Sequence, residues 1–192
     1  EVVTERVIAA MSDTVTPQGV VAVARQFPSA LDDVVAAGPR LVAVLEEIRD
    51  PGNAGTILRA ADAAGADAVV FTGDTVDPYN PKVVRATTGS LFHLPHVVGV
   101  DLAVATAALR AAGLQILAAD VTGEDLTTAR AAGVLAAPTA WVFGNEARGL
   151  DASRLGLADR AYRLPIFGRA ESLNLATAAS VCLYESAFAQ RG

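Results

Sequence analysis

Short apolar runs, each separated from the next by a segment of helical composition, constrain this chain more than anything else in it. The runs fall at 20–23, 41–45, 68–71, 97–100, 114–118, 140–143 and 162–165. Helices are expected over 31–37, 54–64, 81–87, 102–112 and 152–157, and from 173 to about 190. Strands that are apolar throughout, rather than alternating, must be covered on both faces, and connections of helical length favour parallel neighbours. The expected fold is therefore α/β, a mainly parallel sheet with helices on both faces. A chain of 192 residues with 52% hydrophobic content suffices for one main domain.

The remaining totals exclude more than they identify. No apolar run is long enough to span a bilayer and the first residues lack a signal pattern, so a cytoplasmic protein without membrane contact is expected. The single cysteine, Cys182, excludes an intramolecular disulfide and a cysteine-based zinc cluster, and reads as a small buried hydrophobe. His93 and His96 lie in no metal-ligand pattern, so no metal is expected. The formal net charge of −6 argues against a general nucleic-acid binder. Charge placement qualifies that total, because Arg59, Arg85, Arg148 and Arg169 all fall in the informative loops.

In an open parallel sheet, ligands bind beyond the C-terminal ends of the strands. Three such loops stand out. The first joins the strand at 41–45 to a helix through Asp50-Pro51-Gly52-Asn53, with Asn53 a competent N-cap, Gly65 a stop, and Arg59 placed to bind phosphate. The second is Phe143-Gly144-Asn145-Glu146-Ala147-Arg148-Gly149-Leu150. Its glycines have the spacing of a phosphate loop, but Leu150 stands where lysine is required, and the chain has no Gly-x-Gly for a dinucleotide. The third runs from Leu164 through Ile166 and Gly168 to Ser172, Leu173 and Asn174, with Ser172 expected to cap the last helix. That helix is apolar around nearly its whole circumference, which points to cover from a second copy of the chain.

Taken in order, Asn53-x-Gly55-x3-Arg59, then Phe143-Gly144-Asn145-Glu146-x2-Gly149-Leu150, then Leu164-Pro165-x2-Gly168-x3-Ser172-Leu173-Asn174 resemble the three motifs of the SpoU (TrmH-like) RNA ribose methyltransferases. The segment from Arg85 to Phe92 resembles a further family segment, with Thr87 where serine is usual. The resemblance implies a SPOUT-type fold with a C-terminal trefoil knot, a homodimer, and S-adenosylmethionine as cofactor. It implies methyl transfer to a ribose 2′-hydroxyl of structured RNA, with rRNA placed ahead of tRNA. Matching positions assign Arg59, Asn53, Glu146, Ser172 and Asn174 to catalysis. They assign Phe143, Gly144, Asn145, Gly149, Leu164, Ile166, Ser172 and Leu173 to the cofactor, and Arg59, Arg85, Thr87, Arg148 and Arg169 to RNA. Residues 1–18 are expected to be the end of an L30e-like RNA-binding domain plus its connector, and residues 19–192 the catalytic domain. Without the upstream part, the chain is expected to bind cofactor well and RNA weakly. The competing readings are a non-catalytic SPOUT-like RNA-binding or assembly dimer, and, more distantly, an α/β nucleotide-binding module.

Overall fold

The computed structural model describes residues 1–12 and 14–192. Asp13, in the polar connector expected after the first helix, lies outside the described residues. Six parallel strands form one sheet: β1 Leu41–Glu46, β2 Ala68–Thr72, β3 His96–Val100, β4 Gln115–Asp125, β5 Thr139–Phe143 and β6 Arg160–Arg163. Their order across the sheet is β3-β2-β1-β5-β4-β6. The helices are α1 Glu5–Met11, α2 Leu31–Ala36, α3 Pro51–Ala64, α4 Pro81–Thr87, α5 Leu102–Ala111, α6 Leu126–Ala131, α7 Ala152–Leu155 and α8 Leu175–Arg191.

Alternation along the strands divides the core into two layers. Ala43 and Leu45 of β1 and Trp141 and Phe143 of β5 face one side, with Ile57, Leu58 and Ala61 of α3 and Ala179, Cys182 and Leu183 of α8. Val42 and Val44, with Ala140 and Val142, face the other side, with Ala105 and Leu109 of α5. Both faces are covered, as the unbroken apolar strands require. Within the first layer the Trp141 indole N–H donates to Ser186 Oγ of α8 at 2.9 Å, so the one buried indole is satisfied by the last helix.

The order reverses between β1 and β5, where the chain leaves β1 toward β2 on one side and β5 lies on the other. Strands β1 and β5 run in register from Leu41 opposite Thr139 to Leu45 opposite Phe143. Their C-terminal loops therefore emerge side by side. Strand β4 pairs with β6 in two stretches, Leu117 to Ala119 and then Glu124 to Asp125, and the intervening residues 120–123 bulge out. Gly123 is obligatory at the return, since a Cβ there would lie 2.4 Å from the carbonyl carbon of Ala161.

Several sequence expectations are corrected. Residues 20–23 form no strand, and Val20 and Val23 are almost fully exposed. An apolar run alone is insufficient to make a strand. Helix α3 begins at Pro51 and is capped by Asp50, whose side chain accepts from the Asn53 N–H at 2.7 Å. An acidic residue directly before a first-turn proline is the stronger start signal. Helix α8 begins at Leu175 under Asn174, which displaces Ser172 as cap. Strand β6 lies two residues upstream of the expected 162–165. Gly65 does stop α3, in the left-handed conformation at φ 69°.

Among the described residues no helix is long and apolar enough to cross a membrane. Residues 5–11 form a helix with no buried residue. The connector is tied down only further along, where Phe27 stacks on Phe92 with centroids 5.5 Å apart and its N–H donates to the Tyr79 hydroxyl at 2.9 Å. That hydroxyl is in turn 2.8 Å from Nε2 of the buried His96. Burial holds His96 below the usual histidine range, against the smaller opposing effect of the Leu94 carbonyl.

Candidate active site

The loops after β1 and β5 are bonded to each other at several points. The Glu146 carboxylate accepts from the backbone N–H of Arg49 at 3.1 Å and of Asp50 at 3.0 Å, and from Asn53 Nδ2 at 3.3 Å. Burial pushes the Glu146 carboxyl up, but these N–H donors, together with its own backbone N–H, outweigh it and leave it below the ordinary carboxylate range. Asn145 Nδ2 donates to the Glu47 carbonyl at 2.8 Å, while its Oδ1 accepts from the N–H of Ala147 and Arg148. Glu47 itself is held at φ 51°, a strained conformation for a residue with a Cβ. Its carboxylate bonds Arg148 at 2.7 Å and Arg154 at 2.8 Å, and Arg154 also reaches the buried Glu46 at 2.5 Å.

The third loop joins them through one amide. Asn174 uses Oδ1 to cap α8, accepting from the N–H of Ala176 at 2.9 Å and Thr177 at 3.2 Å. Its Nδ2 donates to Asn53 Oδ1 at 2.9 Å. Asn53 is thereby bonded at both ends of its amide, to Glu146 and to Asn174, and its orientation is fixed. Three residues from three separate loops, each singled out from the sequence, form one chain of hydrogen bonds.

Beside this chain opens a cleft of about 840 Å³, within the range of small-molecule and cofactor sites. Its apolar wall includes Leu150, Leu164, Ile166, Leu173 and Ala178, and its polar wall includes Asn145, Glu146 and Ser172. Gly144 and Gly149 line it too. A Cβ at Gly144 would sit 2.7 Å from the Gly149 carbonyl carbon, so only glycine admits the tight return of this loop. Tyr162, another lining residue, carries a buried hydroxyl with no partner among the described residues. An unpaired buried hydroxyl beside a cleft of this size suits a ligand that brings polar groups.

The other expected site residues separate into groups. Phe143 is fully buried in the core under the loop, with its ring 6.4 Å from that of Trp141, and does not line the cleft. Thr87 is also fully buried, its hydroxyl donating to the Val84 carbonyl at 2.7 Å, so it cannot meet RNA directly. The side chains of Arg59, Arg85 and Arg169 are exposed and form no ion pair or hydrogen bond among the described residues. Arg59 stands on α3 outside the cleft lining, a rise of about 9 Å along the helix from Asn53. Gly55, between them, is explained by packing, since a Cβ there would lie 2.5 Å from the Ala86 Cβ of α4.

Sequence reasoning missed Glu47, Arg154, Tyr162 and the bulge at residues 120–123. Arg154 meets Glu46 from a sequence separation of 108 residues, for which no local pattern exists. The bulge did leave a signal, since Asp120-Val121-Thr122-Gly123 is a turn-forming set directly after an apolar strand.

A six-stranded parallel sheet whose loops enclose a cleft at the point where strand order reverses, with a C-terminal helix capped into that cleft, defines a small-molecule-binding α/β domain. The SpoU rRNA methylase family model matches residues 40–184, and the chain belongs to that family. It is 35% identical to the 23S rRNA (guanosine(2553)-2′-O)-methyltransferase RlmP of Bacillus subtilis, over 94% of this chain and 69% of that protein. It is 36% identical to a 23S rRNA (uridine(2479)-2′-O)-methyltransferase of Streptomyces viridochromogenes, over 88% of this chain and 60% of that protein. Among solved structures it resembles an AdoMet-bound rRNA methyltransferase from Sinorhizobium meliloti, with 37% identity, a TM-score of 0.86, and coverage of 95% of this chain and 69% of that one. The chain thus spans about two thirds of the length of such relatives.

Proposed function

We propose that this chain transfers a methyl group from S-adenosylmethionine to a ribose 2′-hydroxyl of RNA, with rRNA ahead of tRNA. The observation that carries the reading is the Glu146–Asn53–Asn174 chain, which ties all three family motifs together beside one cleft. Bound in that cleft, the cofactor would supply an electrophilic sulfonium methyl. Backbone groups of residues 144–149 and the side chains of Leu164, Ile166 and Leu173 would enclose it, as the shape and mixed polarity of the lining allow.

The residues present divide the work by whether they are already bonded. Glu146 is ionised at neutral pH and saturated by donors. It therefore orients Asn53 and the loop after β1, and is a poor proton acceptor for the nucleophile. A guanidinium stays protonated throughout the accessible range, so Arg59 serves as an anchor for RNA phosphate and a stabiliser of the developing alkoxide.

Arg59 stands outside the cleft of its own chain, and α8 leaves Val181, Tyr184 and Phe188 exposed. Both features support a homodimer in which a second copy covers α8 and completes the site. The family's knotted C-terminal path belongs to the same reading. So does an upstream RNA-binding domain whose end and connector are residues 1–18; equal, salt-sensitive RNA affinity with and without that domain would remove this part. The activity is tested by following labelled methyl from S-adenosylmethionine into rRNA and mapping 2′-O-methylated nucleotides. Absence of both transfer and cofactor binding would refute the reading.

A further inference from the structure

The charges around the cleft are unevenly committed. Its lining holds three carboxylates, Asp120, Glu146 and Glu171, and two guanidinium groups, Arg148 and Arg163. Both cations are neutralised by acids outside the lining, Arg148 by Glu47 at 2.7 Å and Arg163 by Asp125 at 3.2 Å. Glu146 already accepts from three donors, the N–H groups of Arg49 and Asp50 and Asn53 Nδ2. Glu171 lies on an exposed loop.

Asp120 differs from all of these. It begins the bulge that interrupts the pairing of β4 with β6, and it is half-buried. Its Oδ1 is fixed by the Thr122 N–H at 2.9 Å and the Thr122 hydroxyl at 2.6 Å. Its Oδ2 has no partner among the described residues, and it lies 3.5 Å from the position a Cβ would take on Gly149, on the opposing loop. One oxygen is thus pinned, and the other, without a partner among the described residues, lies against the Gly144–Gly149 loop where both line the cleft.

We propose that Asp120 is the group by which this cleft recognises positive charge on its cofactor, and so favours the sulfonium substrate over the thioether product. This rests on the cofactor reading above. In the transfer, the ribose oxygen forms the new C–O bond, and the C–S bond breaks with its electron pair passing to sulfur. The ribose proton goes to solvent. The sulfonium becomes a neutral thioether, and the attraction to a nearby fixed carboxylate disappears with it. Asp120 therefore strengthens binding of the reactant and loosens the product, which promotes release after each turnover.

The test is calorimetric titration of the full chain and of Asp120→Asn with three ligands: S-adenosylmethionine, S-adenosylhomocysteine, and sinefungin, whose amine restores a cation near the sulfonium position. Asparagine retains an acceptor oxygen for Thr122. In the unaltered chain both cationic ligands should bind more tightly than S-adenosylhomocysteine. Asp120→Asn should weaken them about tenfold and S-adenosylhomocysteine less than twofold, which also shows that the variant is folded. Added salt should weaken the two cationic ligands more than S-adenosylhomocysteine in the unaltered chain, and this difference should shrink in Asp120→Asn. Equal weakening of all three ligands, or no weakening, in Asp120→Asn overturns the assignment. If the unaltered chain binds none of the three, the cofactor reading itself falls.

Discussion

The first turn and the middle of helix α3 carry the two most informative polar residues of the chain, and they are treated in opposite ways. At the N-terminal end, Asn53 is bonded through its backbone to Asp50 and through both ends of its amide to Glu146 and Asn174. Further along, Arg59 is exposed, with no bond among the described residues. The first is finished before any ligand arrives, because its groups satisfy one another. The second has nothing to satisfy it within the chain, and a long exposed cation held on a rigid helix suits an anionic partner. Preorganisation and availability are thus separated by six positions along one helix.

The comparison breaks most sharply at Arg59. Arg59→Ala should reduce methyl transfer at least about hundredfold, the scale of a lost transition-state donor, while S-adenosylmethionine affinity measured by calorimetry changes less than about twofold. Unchanged turnover with labelled cofactor would remove Arg59 from the chemistry. At the first turn, Glu146→Ala should act on everything at once. It frees the backbone N–H groups of Arg49 and Asp50 and one end of the Asn53 amide. Cofactor affinity and turnover should both fall, and thermal unfolding should show a loss of about 1 kcal/mol, small because the group is accessible to water. Loss of turnover alone, with stability and cofactor affinity intact, would mean that Glu146 acts on the substrate and not on the loops.

The same carboxylate gives a pH signature with a definite sign. Its folded value lies below the ordinary one because donor N–H groups outweigh burial. Its contribution to stability is therefore fully present above the ordinary carboxylate value, and is lost as pH falls through the lower folded value. Glu146→Gln should flatten that part of an acid-unfolding profile; above pH 6 its stability should be lower by a constant amount with an unchanged slope, which thermal melts of both forms would show.

How much of this was legible in the sequence depends on range. Asn53, Glu146 and Asn174 could be found because each sits in a short motif after a strand, and their order along the chain is itself a signal. Their mutual bonds could not be read, since Asn53 and Asn174 are 121 residues apart. Parallel architecture followed from strands that are apolar on every residue, and the order β3-β2-β1-β5-β4-β6 did not, because order is a tertiary fact. Thr87 and Phe143 were assigned to ligands by position in a motif, yet both are buried and support the loops from beneath. The run at 20–23 has strand composition but lies outside the sheet and is exposed, so composition alone does not place it.

The smallest effects separate capping from chemistry at the start of α8. Asn174 performs two tasks with one amide: Oδ1 receives two backbone N–H groups of the helix, and Nδ2 donates to Asn53. Asn174→Ala removes both, and should lower stability by about 1 kcal/mol as well as turnover. Asn174→Asp retains an acceptor at the helix start, where negative charge is favoured, but removes the donor to Asn53. Its stability should therefore return to within a few tenths of a kcal/mol of the unaltered chain while turnover stays about tenfold low. Recovery of both would make Asn174 a cap and nothing more, and the chain of bonds from Glu146 would then end at Asn53. Ser172, exposed and displaced from the capping position, belongs with Arg59 on the uncommitted side. Ser172→Ala should leave the melting temperature unchanged, so any loss of transfer it causes must arise from contact with a ligand.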